Sequence, residues 1–148
     1  MAKYSIIKAE YDNETGVSNI TISSKWGTFS ATAKVNEVDW DIQSKFIGLE
    51  FAEFKAYIKL LKAKARAYKE RANGVYEAIA VLDGKYQQME SFSFTFMQKD
   101  SLLMVAKNLE KKSKETYDAV EALRTFYPDY CKTVLETKRA IAEKYHKD

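Results

Sequence analysis

Between Phe51 and Met89 the chain places an apolar or aromatic residue at every alternating third and fourth position. They are Phe51, Phe54, Ile58, Leu61, Ala65, Tyr68, Ala72, Val75, Ile79, Leu82, Tyr86 and Met89. That spacing puts all twelve on one stripe of a helix. Held over five heptads, it demands a partner helix lying alongside. A single helix over this stretch would be about 58 Å long at 1.5 Å per residue. The small side chains of Ala65 and Ala72 mark where the partner comes closest. The pattern predicts this helix from Leu49 to Leu82; Gly74 weakens it and Asp83-Gly84 signals a break.

A second run with the same spacing follows Asp100-Ser101, which is placed to cap it: Leu102, Ala106, Leu109, Ser113, Thr116, Val120, Leu123 and Tyr127. The phase continues through Tyr130, Val134, Thr137 and Ile141, across Pro128. Proline removes one helical hydrogen bond and disfavours helix at the residue before it, so the helix either kinks or restarts at Pro128, and the unbroken phase favours two helices on a shared axis. Two such runs joined by a short link fold back as an antiparallel, coiled-coil-like hairpin. Ser113 and Thr116 weaken the second seam, whose middle is expected to face a further helix or a second copy. In the link, Phe92, Phe94 and Phe96 alternate with Ser93 and Thr95. They suit either a short strand at 92–97 or a phenylalanine-rich cap on the hairpin.

The first third of the chain has a period of two. Tyr4 to Tyr11, Val17 to Ser24 and Thr28 to Val35 read as strands, separated by Asp12-Asn13-Glu14-Thr15-Gly16 and by Lys25-Trp26-Gly27. Phe29, Ala31, Ala33 and Val35 share one face, as do Ile20 and Ile22. The result is a three-stranded antiparallel meander with one apolar face that a helix must cover. A joint at 36–48 follows, with Asp39 or Asp41 capping a short helix that Gly48 ends. The fold class is α+β, with a meander and connecting helix over 1–48 and a long-helix hairpin over 49–148.

Composition narrows the chemistry. One cysteine, Cys131, and one histidine, His146, leave no intramolecular disulfide, no zinc cluster and no Cys–His or Ser–His–Asp system beyond what His146 alone could supply. Cys131 reads as a small buried hydrophobe and His146 as a surface residue. Glu37, Asp39 and Asp41 would line one side of an extended segment, but the further ligands a metal site needs are missing, and capping explains them. No enzyme activity and no cofactor are expected. The start, Met1 to Ile7, lacks the apolar core of a signal peptide, and no run suits a membrane span. A lone cysteine fits a reducing compartment, so a soluble cytoplasmic protein is expected.

The charge is uneven. Residues 1–50 sum to −2 and residues 73–148 to zero, whereas 51–72 hold seven basic against two acidic side chains, for +5. Within that stretch Lys55, Lys59, Lys62, Arg66 and Lys69 form a ridge one position round from the seam. Such a ridge would follow the phosphates of a nucleic acid, meet an acidic protein surface, or pair with Glu110, Glu115, Asp118 or Glu121 on the returning helix. Twenty aromatic residues add a further option, since Trp26 and Trp40 could stack bases, although rings at sheet–helix junctions usually build core.

Lys3-Tyr4-Ser5-Ile6-Ile7-Lys8-Ala9-Glu10-Tyr11-Asp12, the joint Asp39-x-Asp41-Ile42-x-Ser44, and the helix start Ala52-Glu53, Ile58-Lys59 and Lys62-Ala63-Lys64 carry a resemblance. Over residues 3–70 the chain resembles small accessory proteins of phages and prophages of Gram-positive bacteria. The resemblance brings a context and no site residues. It implies a host bacterial cytoplasm and a binding role, such as inhibition of a host defence protein through helical faces. The alternative is a nucleic-acid-binding accessory of phage replication or recombination. A homodimer or higher homo-oligomer is expected, because two long helices bury only one stripe each.

Overall fold

The computed structural model describes residues 2–34, 45–88 and 96–145. Strands β1 (Ser5–Asp12), β2 (Val17–Ser24) and β3 (Gly27–Lys34) form one antiparallel sheet in the order β1-β2-β3, and helices α1 (Lys45–Gln88) and α2 (Phe96–Tyr145) follow. The architecture is the α+β arrangement that the two periodicities require. The chain divides into two compact units: Met1–Leu61 with Ala119–Asp148, and Lys62–Asp118. The division differs from 1–48 and 49–148 because both helices contribute to both units.

In the first unit, both hairpin turns are made by local polar chemistry. The Asp12 carboxylate accepts from the Glu14 and Thr15 amides at 2.9 and 3.4 Å, and the Gly16 amide donates to the Asp12 carbonyl at 2.8 Å. Gly16 has φ of +71°, a conformation that costs glycine nothing. At the second turn, Ser24 Oγ accepts from the Trp26 amide at 3.1 Å and donates to the Gly27 carbonyl at 3.2 Å. These turns fix the register, pairing Ile20 with Ala31 and Ile22 with Phe29. One face is therefore apolar. Across the other, Thr21 bonds Ser30 at 2.8 Å and Thr32 bonds Asn19.

The apolar face is buried by α1 through residues that the 3–4 seam does not include. Ala52, Ala56 and Leu60 are fully buried, in one cluster with Ile20, Ile22, Ala31, Ala33, Phe51, Leu61 and Val120. With Gly48 they recur every four residues, the spacing of a ridge along a helix. Small side chains on that ridge let the helix backbone approach the sheet closely. The seam proper meets α2 instead. Phe51 lies edge-on to Tyr130 with centroids 5.9 Å apart, and Phe54 stacks on Tyr130 at 5.1 Å.

In the second unit, the antiparallel pairing of α1 and α2 shows in two contacts. Ser113 Oγ donates to the Ala65 carbonyl at 2.8 Å, and Lys99 pairs with Asp83 at 2.7 Å. Ala65, Ala72 and Ala106 are fully buried, as expected where backbones come closest. Ser113 is also buried, so its polarity does not mark an open seam. Its hydroxyl is satisfied by a helix carbonyl that only a small neighbour leaves within reach.

Helix ends depart from expectation. α1 starts at Lys45, carries Gly48 inside it and passes through Asp83-Gly84 to Gln88. Asp83 is held by Lys99, and one interior glycine costs only about 1 kcal/mol. α2 starts at Phe96, so Phe96 and Met97 are helical, and Asp100-Ser101 sit inside the helix instead of capping it. Phe92, Phe94, Val35, the carboxylates Glu37, Asp39 and Asp41, Trp40 and His146 lie outside the described residues. Pro128 sits within one continuous α2 and does not divide it in two. Tyr127 and Tyr130 on either side of it pack against Phe51 and Phe54, which offsets the missing hydrogen bond.

Two glycines should respond oppositely to alanine. A Cβ at Gly48 would overlap Ser18 Oγ, whereas one at Gly74 would meet nothing within 4 Å. Gly74→Ala should therefore stabilise by about 0.5–1 kcal/mol through helix propensity. Gly48→Ala should destabilise by about 1–3 kcal/mol through overpacking, and Ser18→Gly should recover part of that loss. Urea denaturation of the four chains measures all of this; a stabilising Gly48→Ala would contradict the close approach.

Candidate functional site

The five ridge cations share one helix but have two different environments. In the first unit, Lys55 Nζ donates to the Thr32 carbonyl at 3.1 Å and lies 5.6 Å from the Tyr127 ring centroid. Lys59 Nζ donates to the Ser30 carbonyl at 2.6 Å. Both acceptors are backbone oxygens of β3, the strand at one edge of the sheet. These two ammonium groups therefore occupy hydrogen-bonding positions along an edge that would otherwise be unpaired. Their stems lie over the sheet while their heads reach its rim.

In the second unit, Lys62, Arg66 and Lys69 are exposed. Their spacing places them along about 10 Å of helix. Among the described residues they form no ion pair, and the expected partners Glu110, Glu115, Asp118 and Glu121 do not engage them. The seam residues beside them, Ala65 and Ala72, are buried. The seam thus anchors the helix while the cations face water. Nearby, Lys64 and Lys112 lie 6.0 and 5.9 Å from the Tyr68 ring centroid, so these two lysines lean on an aromatic face.

The first unit also contains a pocket of about 280 Å³, lined by Ala2, Tyr4, Glu50, Glu53, Phe54, Tyr57 and Tyr130. Glu50, Glu53, Phe54 and Tyr57 share one face of α1 by their 3–4 spacing, a signal present in the sequence. Tyr4 and Tyr130 arrive from opposite ends of the chain, and nothing in the sequence pairs them with that face. Tyr4 donates its hydroxyl to Glu53 Oε1 at 3.0 Å, and its ring lies 5.6 Å from that of Tyr57. Burial, then the hydrogen bond and charge of Glu53, push the Tyr4 phenol up to about 12. Burial, followed by the hydrogen bond to Glu50, pushes Tyr130 up to about 12 as well. Tyr127 is raised as well, chiefly by burial. Burial also lifts the Cys131 thiol, with Tyr127 and Lys55 pulling partly the other way.

The pocket therefore offers neutral phenols and two carboxylates. It can accept hydrogen bonds or a cation, and the phenols of Tyr4 and Tyr130 are raised, not lowered. Cys131 packs against the core but is half-buried and hydrogen-bonded to Tyr127, so it is less enclosed than the small buried hydrophobe its position suggested. Trp26 also packs against that core, and Lys25 sits 4.8 Å from its ring centroid. Among the described residues, no group of three or more His, Cys, Asp or Glu side chains could hold a metal ion. Among them, too, no helix is long and apolar enough to cross a membrane.

No protein-family model, curated protein or solved structure matches the chain.

The raised phenols give a pH test. A phenol with a higher pKa folded than unfolded favours the fold while it is protonated. Its contribution is complete below pH 10 and is lost as pH climbs toward 12. Ultraviolet titration of tyrosinate should show a late-ionising component that shrinks in Tyr4→Phe and again in Tyr4→Phe/Tyr130→Phe. A wild-type curve fitted by one ordinary phenol pKa would contradict the pocket's geometry.

Proposed function

We propose that this chain is a non-enzymatic binding protein that docks on an acidic protein surface through Lys62, Arg66 and Lys69. The observation behind this reading is the exposure of those three cations beside a buried seam, with no ion pair to any of them among the described residues. Solvated cations on a rigid helix steer a partner of opposite charge and speed encounter. Lys55 and Lys59 drop out of the contact surface in this reading, because β3 already occupies them. Their role is to support the fold from which the three cations project. The resemblance over residues 3–70 gives the biological setting: a phage-encoded accessory protein in the cytoplasm of a bacterial host, acting as an inhibitor of a host defence protein.

The test separates stability from binding. Lys62→Glu/Arg66→Glu/Lys69→Glu should keep its melting temperature, since exposed charge changes away from special features usually move stability by no more than about 0.5 kcal/mol. It should lose the partner that the wild-type chain captures from host lysate after nuclease treatment, and the loss should be greatest at low salt. Lys55→Met/Lys59→Met should do the reverse, lowering the melting temperature while the remaining folded protein still binds. Capture that nuclease abolishes would move the reading to nucleic acid. Capture that survives the triple reversal would remove the three cations from the contact.

A further inference from the structure

The sheet has two edges, and they are treated differently. On β3, the Ser30 and Thr32 carbonyls are taken by Lys59 and Lys55, so α1 guards that edge. β1 forms the other edge, and no hydrogen bond from another element reaches its outer side among the described residues. All of β1 is exposed except Tyr11, which is half-buried; Ile6 and Ile7 are 51 % and 59 % exposed. An open strand edge with apolar flanks is a template for another strand.

Backbone alternation tells which groups of β1 face outward. In β3, residues 30 and 32 turn their carbonyls to the free edge, so 29, 31 and 33 bond with β2. Their partners Ile22, Ile20 and Ser18 face β3, which leaves Asn19 and Thr21 facing β1. Glu10 and Lys8 lie opposite these and bond inward. Ala9 and Tyr11 therefore present their amide and carbonyl groups to the open edge.

We propose that β1 pairs antiparallel with β1 of a second copy, about a two-fold axis at Ala9. In the regular segment beyond the bulge, three registers pair Ala9 and Tyr11 with their counterparts, and charge selects among them. Centring on Tyr11 sets Glu10 against Asp12, and centring between Ala9 and Tyr11 sets Glu10 against Glu10, both like-charge pairs. Centring on Ala9 sets Lys8 against the second copy's Glu10 and Glu10 against its Lys8, as directly opposed side chains. The interface is self-complementary, as two-fold symmetry requires. Within one chain, Lys8 and Glu10 lie 3.4 Å apart with both side chains largely exposed, so each is free to turn to the neighbouring strand. The bulge between Ile6 and Lys8 confines regular pairing to the segment around Ala9 and sets two exposed isoleucines beside it. This ground for a dimer is independent of the helix seam.

The test uses charge exchange in the full-length chain. Sedimentation equilibrium should show wild-type dimers at tens of micromolar. Lys8→Glu and Glu10→Lys should each weaken self-association by about tenfold, because each sets two like-charge pairs across the axis. An equimolar mixture of the two variants should regain wild-type association as a heterodimer, since every opposed pair is then of opposite charge. Ala9→Cys in a Cys131→Ala background should form a disulfide-linked dimer on mild oxidation, the paired Cα atoms being about 5.5 Å apart, while Thr32→Cys in the same background should not. A wild-type monomer would overturn the proposal. So would a mixture that behaves as the sum of its parts, or cross-linking through Thr32→Cys in place of Ala9→Cys.

Discussion

The structure depends on one close approach, that of the start of α1 to the apolar face of the sheet. The sheet offers two isoleucines and two alanines there, Ile20, Ile22, Ala31 and Ala33, which is little volume for a covering helix to pack into. A helix with large side chains on that side would stand too far off to exclude water. Gly48, Ala52 and Ala56 bring the backbone down, and Leu60 fills what remains, fully buried. Ser18 is the point of tightest fit. It is buried beneath Gly48, and among the described residues its hydroxyl finds no hydrogen-bond partner. An unsatisfied hydroxyl costs stability, but a larger side chain at either position would lift the helix away.

From that approach follows the fate of the first two ridge lysines. A helix lying this low carries Lys55 and Lys59 past the rim of β3, within reach of its outward carbonyls. A charged side chain at a strand edge does two things at once. It satisfies an exposed backbone acceptor, and it makes the edge unattractive to another strand. The same lysines viewed as a linear charge pattern cannot be told from Lys62, Arg66 and Lys69, because helical spacing is identical throughout. Only the presence of the sheet beneath the first part of the helix separates them.

Aromatic packing makes the other connection of the first unit. Phe51 and Phe54 meet Tyr127 and Tyr130 across α2, and Tyr4 closes on Glu53 and Tyr57 from the start of the chain. These contacts join residues more than seventy positions apart, or about fifty in the case of Tyr4. They also hold α2 helical through Pro128. Burial raises the phenols of Tyr4 and Tyr130, with the adjacent carboxylates biasing them further the same way, and both line the pocket beside Glu50 and Glu53.

By itself the sequence determined the periodicities and what depends on them alone. The meander with its strands, turns and apolar face, the two long helices, their antiparallel pairing, and the close contact at Ala65 and Ala72 all follow from local spacing and side-chain size. Those quantities are written along the chain. What lay beyond it was settled by contacts between distant segments. The Gly48 position looks like a helix stop until β2 is seen to pack against it, and Asp83-Gly84 looks like a break until Lys99 pairs with Asp83. Pro128 looks like a division until Tyr127 and Tyr130 are anchored. Ser113 looks like an open seam until its hydroxyl is seen to donate a hydrogen bond to the Ala65 carbonyl. In each case a local preference, about 1 kcal/mol for an interior glycine and about 3 kcal/mol for proline, is outweighed by packing or hydrogen bonding. Those contacts exist only once the chain has folded, and for the same reason only the tertiary structure could divide the five cations into two that bind β3 and three that face water.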